Sequence, residues 1–236
     1  MTDPFAELPK HHYGAILADP PWHFQAWAGP KWNGEYRKNG TKIISPRSMP
    51  DYQTMKEPEI CALPIEELAA PNCVLFLWCC WPTLEQSLRV IKSWGFTFKS
   101  CAFSWMKADP YRLFADEFTP DMGLGYWTRA NTEPCLLATR GKPKRLNADV
   151  RQGIIAPRRE HSRKPDEIHG RIERLVAGPY LELFARQRRP GWDAWGNEVD
   201  KYNAERDFAG SIDECYREIR ERKANGGLGW TPPGGV

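Results

Sequence analysis

Gly14-Ala15-Ile16-Leu17-Ala18-Asp19-Pro20-Pro21-Trp22 carries the strongest structural signal in this chain of 236 residues. The run from Gly14 to Ala18 is short and apolar, and a carboxylate and a proline pair follow it at once. It therefore reads as a buried strand whose C-terminal end opens into a loop. Ligands in open α/β sheets bind at such ends. Consecutive prolines fix φ and lack N–H donors, so their carbonyl oxygens can only accept, and Asp19 adds a charged acceptor beside them. Trp22 supplies a large flat ring. This set of groups suits the NH2 of an extruded base: the acceptors draw on both amine protons, help the delocalised nitrogen to rehybridise and attack an activated methyl, and the ring stacks the base. The alternative is a strand followed by a proline-rich turn.

Further along, Cys73-Val74-Leu75-Phe76-Leu77-Trp78-Cys79 is a continuous apolar run of the kind buried on both faces of a parallel sheet. Residues 59–70 read as a short helix, residues 82–94 as a helix opened by Pro82, and residues 96–105 and 133–139 as two more strands. Residues 165–175 begin with Pro165, place Asp166 and Glu167 in a first helical turn and set Ile168, Ile172 and Leu175 along one face. In residues 180–186 a period of two puts Glu182, Phe184 and Arg186 on one strand face, opposite Leu181, Leu183 and Ala185. Strands alternating with helices predict a doubly wound α/β sheet.

Residues 23–57 mix aromatic and basic side chains with glycine and proline without a sustained period, which predicts a long active-site loop. Its rings are divided between stacking on bases and packing on the domain. Gly123-Leu124-Gly125 is followed by Tyr126-Trp127-Thr128-Arg129 and not by an apolar helical repeat, which excludes a dinucleotide-binding turn.

With 41% hydrophobic residues and 11 tryptophans the chain can bury one substantial core. The expected layout is an N-terminal extension at 1–12, a domain at 13–199, and a C-terminal part at 200–236 with an amphipathic helix (Phe208, Ile212, Cys215, Tyr216, Ile219) and a disordered end. Seven cysteines without a Cys-x-x-Cys pair support neither a disulfide framework nor a metal site. They suit buried thiols in a reducing compartment, and with no signal sequence or membrane span in view the expected location is the cytoplasm. The net charge is +3, yet residues 140–189 hold 14 Lys/Arg against 6 Asp/Glu. That concentration, with Arg151, Arg158, Arg159 and Arg163 in it, is the footprint of a phosphate-backbone binder or else a solvated loop.

Over residues 13–199 the chain resembles the MT-A70 family of adenine N6 methyltransferases, which use S-adenosylmethionine. The resemblance rests on Asp19-Pro20-Pro21-Trp22 and on blocks in family order: Met122 to Arg129, Glu133 to Gly141, Lys164-Pro165-Asp166-Glu167-Ile168, Leu181-Glu182-Leu183-Phe184-Ala185-Arg186, and Gly191-Trp192 with Gly196-Asn197-Glu198. It implies a Rossmann-like class I methyltransferase sheet with helices on both faces and a permuted motif order, the Asp-Pro-Pro-Trp strand preceding the cofactor strand. Residues 19–22 and 184–186 should then meet across one sheet edge.

The resemblance further implies catalytic roles for Asp19, Pro20, Pro21 and Trp22. It carries Lys164 to the methionine carboxylate, Phe184 to the adenine, Arg186 to the ribose, and Asn197 with Glu198 to the ribose or adenine edge. Tyr126, Trp127 and Arg129 fall on the substrate side. The family commonly has Gln where this chain has Glu198. Taken singly, Lys164 also reads as an exposed helix-start lysine, Phe184 as a core ring, Arg186 as a surface ion-pair partner and Asn197 as a turn residue. The implied activity is N6-adenine methylation of DNA with S-adenosylmethionine and no metal. The same chemistry on RNA, or a catalytically silent nucleic-acid-binding partner of the same fold, are the alternatives, and no oligomeric state is read from the sequence.

Overall fold

The structure, a computed structural model, describes residues 3–23, 31–36, 42–45, 53–108, 127–128, 130–159 and 163–202. The apolar run before Asp19 is strand β1 (Tyr13–Ala18). It is followed by β2 (Lys31–Tyr36), β3 (Lys42–Ser45), α1 (Glu57–Cys61), β4 (Ala69–Trp78), α2 (Leu84–Ser93), β5 (Thr97–Ala108), β6 (Thr132–Arg140), β7 (Gly153–Pro157), α3 (Glu167–Leu175), β8 (Tyr180–Leu183) and β9 (Trp192–Trp195). The main sheet has seven strands in the order β7-β5-β6-β4-β1-β8-β9.

β1 is enclosed by parallel neighbours, with Ala18 opposite Leu77 of β4 on one side and Leu183 of β8 on the other. β9 continues the parallel set, whereas β6 runs antiparallel to both β4 and β5, and β7 lies parallel to β5 at the edge. Being buried on both sides, β1 and β4 are apolar without alternation, as parallel strands must be. Alternate residues nevertheless divide between two cores. Ile16, Ala18, Leu75 and Leu77 pack with Ile60, Val90, Ile91 and Trp94 from the α1 and α2 side. Ala15, Leu17, Val74, Phe76 and Trp78 pack with Ile168 and Ile172 of α3. Helices cover both faces, and the fold is Rossmann-like.

Several elements differ from the sequence reading. The helix expected over residues 59–70 divides into α1, a 3₁₀ turn at Ile65–Glu67 and the start of β4. Pro64, which has no N–H to donate, stands between the first two. The loop expected over residues 23–57 contains the antiparallel pair β2 and β3, whose sequences lack the polar–apolar alternation on which a strand reading depends. β7 lies inside the basic segment. β8 ends at Leu183 because Phe184 adopts a φ of 61° and turns the chain out of the sheet. Directly opposite, a Cβ on Gly196 would lie 2.7 Å from the Ala185 carbonyl oxygen, so only glycine lets the end of β9 approach that turn. The tail helix expected near residues 208–219 lies outside the described residues.

Candidate active site

Asp19 follows β1 where the strand runs out between β4 and β8, its N–H directed at the Leu183 carbonyl oxygen at 3.4 Å. Lys164, just ahead of α3, reaches across so that its Nζ lies 2.8 Å from Asp19 Oδ2 and 3.6 Å from Glu133 Oε2. The other oxygen of Glu133 accepts from Lys107. Four charges of alternating sign, Asp19, Lys164, Glu133 and Lys107, therefore run along one edge of the sheet, at the C-terminal ends of β1 and β5 and the N-terminal end of the antiparallel β6.

Burial pushes the Asp19 carboxyl above its ordinary value, with Lys164 pulling the other way. Burial alone would lower Lys164, but Asp19 and Glu133 outweigh it and raise its pKa. Burial would likewise raise Glu133, yet Lys164 and Lys107 hold it below the usual carboxylate range. Asp19 is thus the member of this network whose ionised form is least favoured.

A cleft opens beside this pair, walled by Asp19, Trp78, Lys164, Glu182, Phe184 and Arg186 among others. At about 50 Å³ it is narrow against the roughly 300–1,000 Å³ of ordinary ligand sites. The indole N–H of Trp78 is buried with no acceptor among the described residues, and Lys164 Nζ lies 5.6 Å from the centre of that ring.

The sequence-derived candidates fall into three groups. Asp19, Lys164, Phe184 and Arg186 line the cleft together. Pro20, Pro21 and Trp22 stand next to it without lining it. The Pro20 carbonyl accepts from the Trp22 N–H and the Pro21 carbonyl from the Met55 N–H, each at 2.8 Å, leaving each oxygen its second lone pair. Trp22 is 6% exposed on the α1 and α2 side, where its indole N–H donates to the Trp78 carbonyl at 3.0 Å. Asn197 is exposed at the end of β9, outside the cleft wall. Glu198 pairs with Arg186 at 3.0 Å and with Lys201 at 2.6 Å. Trp127 is 99% exposed, while Tyr126 and Arg129 lie outside the described residues.

The basic segment is divided as well. Arg151 and Arg158 are exposed, Arg163 stacks on the Tyr202 ring at 4.6 Å, and Arg159 turns inward to Asp166, which Arg189 grips from the other side.

Residues 13–198 match the MT-A70 family over most of the chain. The chain belongs to the MT-A70 family. It is 33% identical to the type II methyltransferase M.MunI of a Mycoplasma species, covering 91% of this chain and 89% of that protein. It is also 30% identical to the MT-A70-like N(6)-adenosine-methyltransferase of Drosophila melanogaster and 29% identical to the human N(6)-adenosine-methyltransferase catalytic subunit METTL3, in each case over 80% of this chain. It spans only 27% and 28% of the lengths of those two proteins.

Membership in the MT-A70 methyltransferases implies S-adenosylmethionine as donor. The cleft lining carries groups of the kinds such a molecule needs: the cation of Lys164, the ring of Phe184, and the Trp78 N–H, which has no acceptor among the described residues. The sequence reading of this MT-A70 chain gave no role to Lys107, Trp78 or His169, and it placed Glu133 and Glu182 in family blocks, Glu182 on the strand face of Phe184 and Arg186, without assigning either a role. A signal existed for His169: it is three residues after Asp166 and one after Ile168, on the helix face that meets β8. No helix among the described residues is long and apolar enough to cross a membrane.

Proposed function

We propose that this protein transfers the methyl group of S-adenosylmethionine to N6 of adenine in DNA. The observation that carries the proposal is the 2.8 Å approach of Lys164 to Asp19, which sets a cation suited to an amino-acid carboxylate beside an acceptor suited to an amine. The donor, when bound, supplies a methyl group already activated on sulfonium sulfur. The chain's part is to place and polarise. Asp19 accepts one amine proton in a hydrogen bond, and the spare lone pairs of the Pro20 and Pro21 carbonyls accept the other, concentrating electron density on the attacking nitrogen. Positioning and fixed electrostatics of this kind supply most of the rate, and the nitrogen releases its proton after transfer.

Lys164 holds the donor carboxylate, Phe184 meets the adenine of the donor, Arg186 faces the ribose, and Asn197 with Glu198, which pairs with Arg186, serves the ribose or adenine edge. Trp22, bonded to the Trp78 carbonyl, stiffens the prolyl turn from below. The exposed ring of Trp127, with Tyr126 and Arg129 beside it in sequence, receives the extruded base. In this reading residues 13–199 form the catalytic domain, flanked by an extension at 1–12 and an appended segment at 200–236. The base-handling strand β1 precedes the donor strand β8 in the chain, which is the permuted order. The chemistry needs no metal, and the protein works in the cytoplasm.

DNA is favoured over RNA because the relative matched almost end to end is a type II methyltransferase, whereas the N(6)-adenosine-methyltransferases are matched over about a quarter of their length. The test offers donor labelled in its methyl group to duplex DNA, single-stranded DNA and RNA of mixed sequence, then digests each to nucleosides. Label in N6-methyldeoxyadenosine is the expected result. Label confined to RNA would replace the substrate, and tight donor binding with no label anywhere would leave a silent nucleic-acid-binding partner.

A further inference from the structure

We infer that Trp81 is a stacking platform for a base of the substrate strand close to the adenine being modified. The inference rests on the reading of Asp19, Pro20 and Pro21 as acceptors for the amine of that adenine, and it concerns a ring that does not line the cleft.

Among the described residues two tryptophans are half exposed or more, Trp127 and Trp81. Trp81, 50% exposed, is held at both ends. Its backbone opens a 3₁₀ turn at Trp81–Thr83, and the buried hydroxyl of Thr83 closes that turn by donating to the Cys80 carbonyl at 3.0 Å and accepting the Cys80 N–H at 3.2 Å. At the other end the indole N–H donates to Thr132 Oγ1 at 2.9 Å. The one polar atom of the ring is thus engaged by the protein, and the surface left to solvent is apolar. A ring already fixed loses little conformational freedom when a second ring covers it, and the covering removes apolar area from water. Trp81 is therefore prepared for stacking.

Its place on the sheet decides what stacks there. Trp78 of β4 pairs with Cys135 of β6, and the Cys79 N–H donates to the Pro134 carbonyl at 3.0 Å. The bond from Trp81 to Thr132 carries this pairing past the end of β4, on the edge where Asp19 follows β1. Because Ala18 lies opposite Leu77, Asp19 stands level with Trp78. Three further residues of extended chain put Trp81 on the order of 10 Å from Asp19, roughly the span of three stacked bases. An adenine drawn out over Asp19 leaves its neighbours in the strand without a stacking partner, and they lie within that reach. Every base has a π-face, so the indole accepts any of them.

Fluorescence anisotropy on the full chain, with S-adenosylhomocysteine present to prevent turnover, tests this. The probe is a labelled single strand of about 12 nucleotides, within the span of ordinary single-strand sites, with one central adenine among thymidines. In companion probes an abasic residue replaces one thymidine at a time on either side of the adenine. Wild type should lose about tenfold in affinity at one of these positions, the scale of one base stacked on an aromatic ring. W81A should bind the intact strand about tenfold more weakly and should no longer respond to the abasic residue at that position, whereas W81F, which keeps a ring, should retain most of both. Calorimetric affinity for S-adenosylhomocysteine and the melting temperature should stay at wild-type values in W81A. Wild-type affinity and wild-type abasic sensitivity in W81A overturn the platform, and so does a weakening accompanied by equal losses of donor affinity and melting temperature. If wild type binds no strand at all, the reading of the protein as a base modifier fails with it, whereas binding without any positional sensitivity defeats the platform alone.

Discussion

The two faces of the sheet are built from alternate residues of the same strands, yet their ends are finished differently. On the α1 and α2 face the buried indoles are closed off: Trp22 donates to the Trp78 carbonyl at 3.0 Å and Trp94 to the Ile60 carbonyl at 2.9 Å. On the α3 face Trp105 and Trp192 are paired too, but Trp78 keeps an N–H without an acceptor among the described residues, and beyond it stand Lys164, Asp19 and Glu182 lining a cleft. Buried polar groups are paired almost without exception in a finished core. The orphaned donor at the C-terminal end of β4 therefore marks the α3 face as the one that works, and the other face as the one that supports it.

The largest effect on this contrast comes from Lys164. K164M leaves Asp19 as a buried charge without its cation, so stability should fall by about 3–5 kcal/mol in chemical denaturation. Donor affinity should fall on the order of 100-fold in calorimetry, since a charged hydrogen bond to the ligand is lost as well. Next come the two cores. I91A on the α2 side and I172A on the α3 side each remove a buried side chain and should each cost about 2–5 kcal/mol. Only I172A should also weaken donor binding, because α3 carries the wall that holds Ile168 and His169. Equal loss of donor affinity in both variants would erase the functional distinction between the faces.

Acidity separates activity from stability. Burial raises Asp19, so as pH falls through that raised value the carboxylate takes up a proton and turnover declines, beginning above the ordinary aspartate value of 3.8. A raised carboxyl binds its proton more readily folded than unfolded, so this titration favours the folded state as pH falls. Glu133 is held low, and the stability it contributes is present above its ordinary value and lost only as pH falls through the lower folded one. A pH window should exist in which turnover declines while the melting temperature does not. The smallest effect belongs to Trp78. W78F removes a donor that has no acceptor and should change stability by less than about 1 kcal/mol, whereas W94F strands the Ile60 carbonyl and should cost about 1–3 kcal/mol. W78F should still weaken donor binding severalfold.

Strands β1 and β4 were legible because continuous apolar runs bounded by proline or charge have few other fates in a chain of this kind. Helix α3 was legible from its proline, its first-turn acids and its isoleucine spacing. β7 and β9 were not: Gly153-Ile154-Ile155-Ala156-Pro157 is an edge strand with Ile155 55% exposed, and Trp192-Asp193-Ala194-Trp195 has a charge in its middle. Both are defined by the neighbour they pair with, which no local window contains. The expected approach of residues 19–22 to 184–186 came from the order of family blocks, whereas the contact of Asp19 with Lys164, 145 residues apart, was not foreseen from either residue's surroundings. The φ of Phe184, the burial of Trp22 and the bridging of Glu133 between two lysines depend on tertiary packing, and nothing in their neighbouring residues announces them.

The central claim is that the carboxylate at the end of β1 drives the transfer step while the rest of the cleft holds the donor. Single-turnover methyl transfer and calorimetric donor affinity, measured on one preparation of D19A, test it most directly. The account predicts donor affinity within about threefold of wild type and a transfer rate lower by on the order of 10³, the scale of losing an electrostatic contact to the reacting centre. Transfer at the wild-type rate in D19A would contradict it.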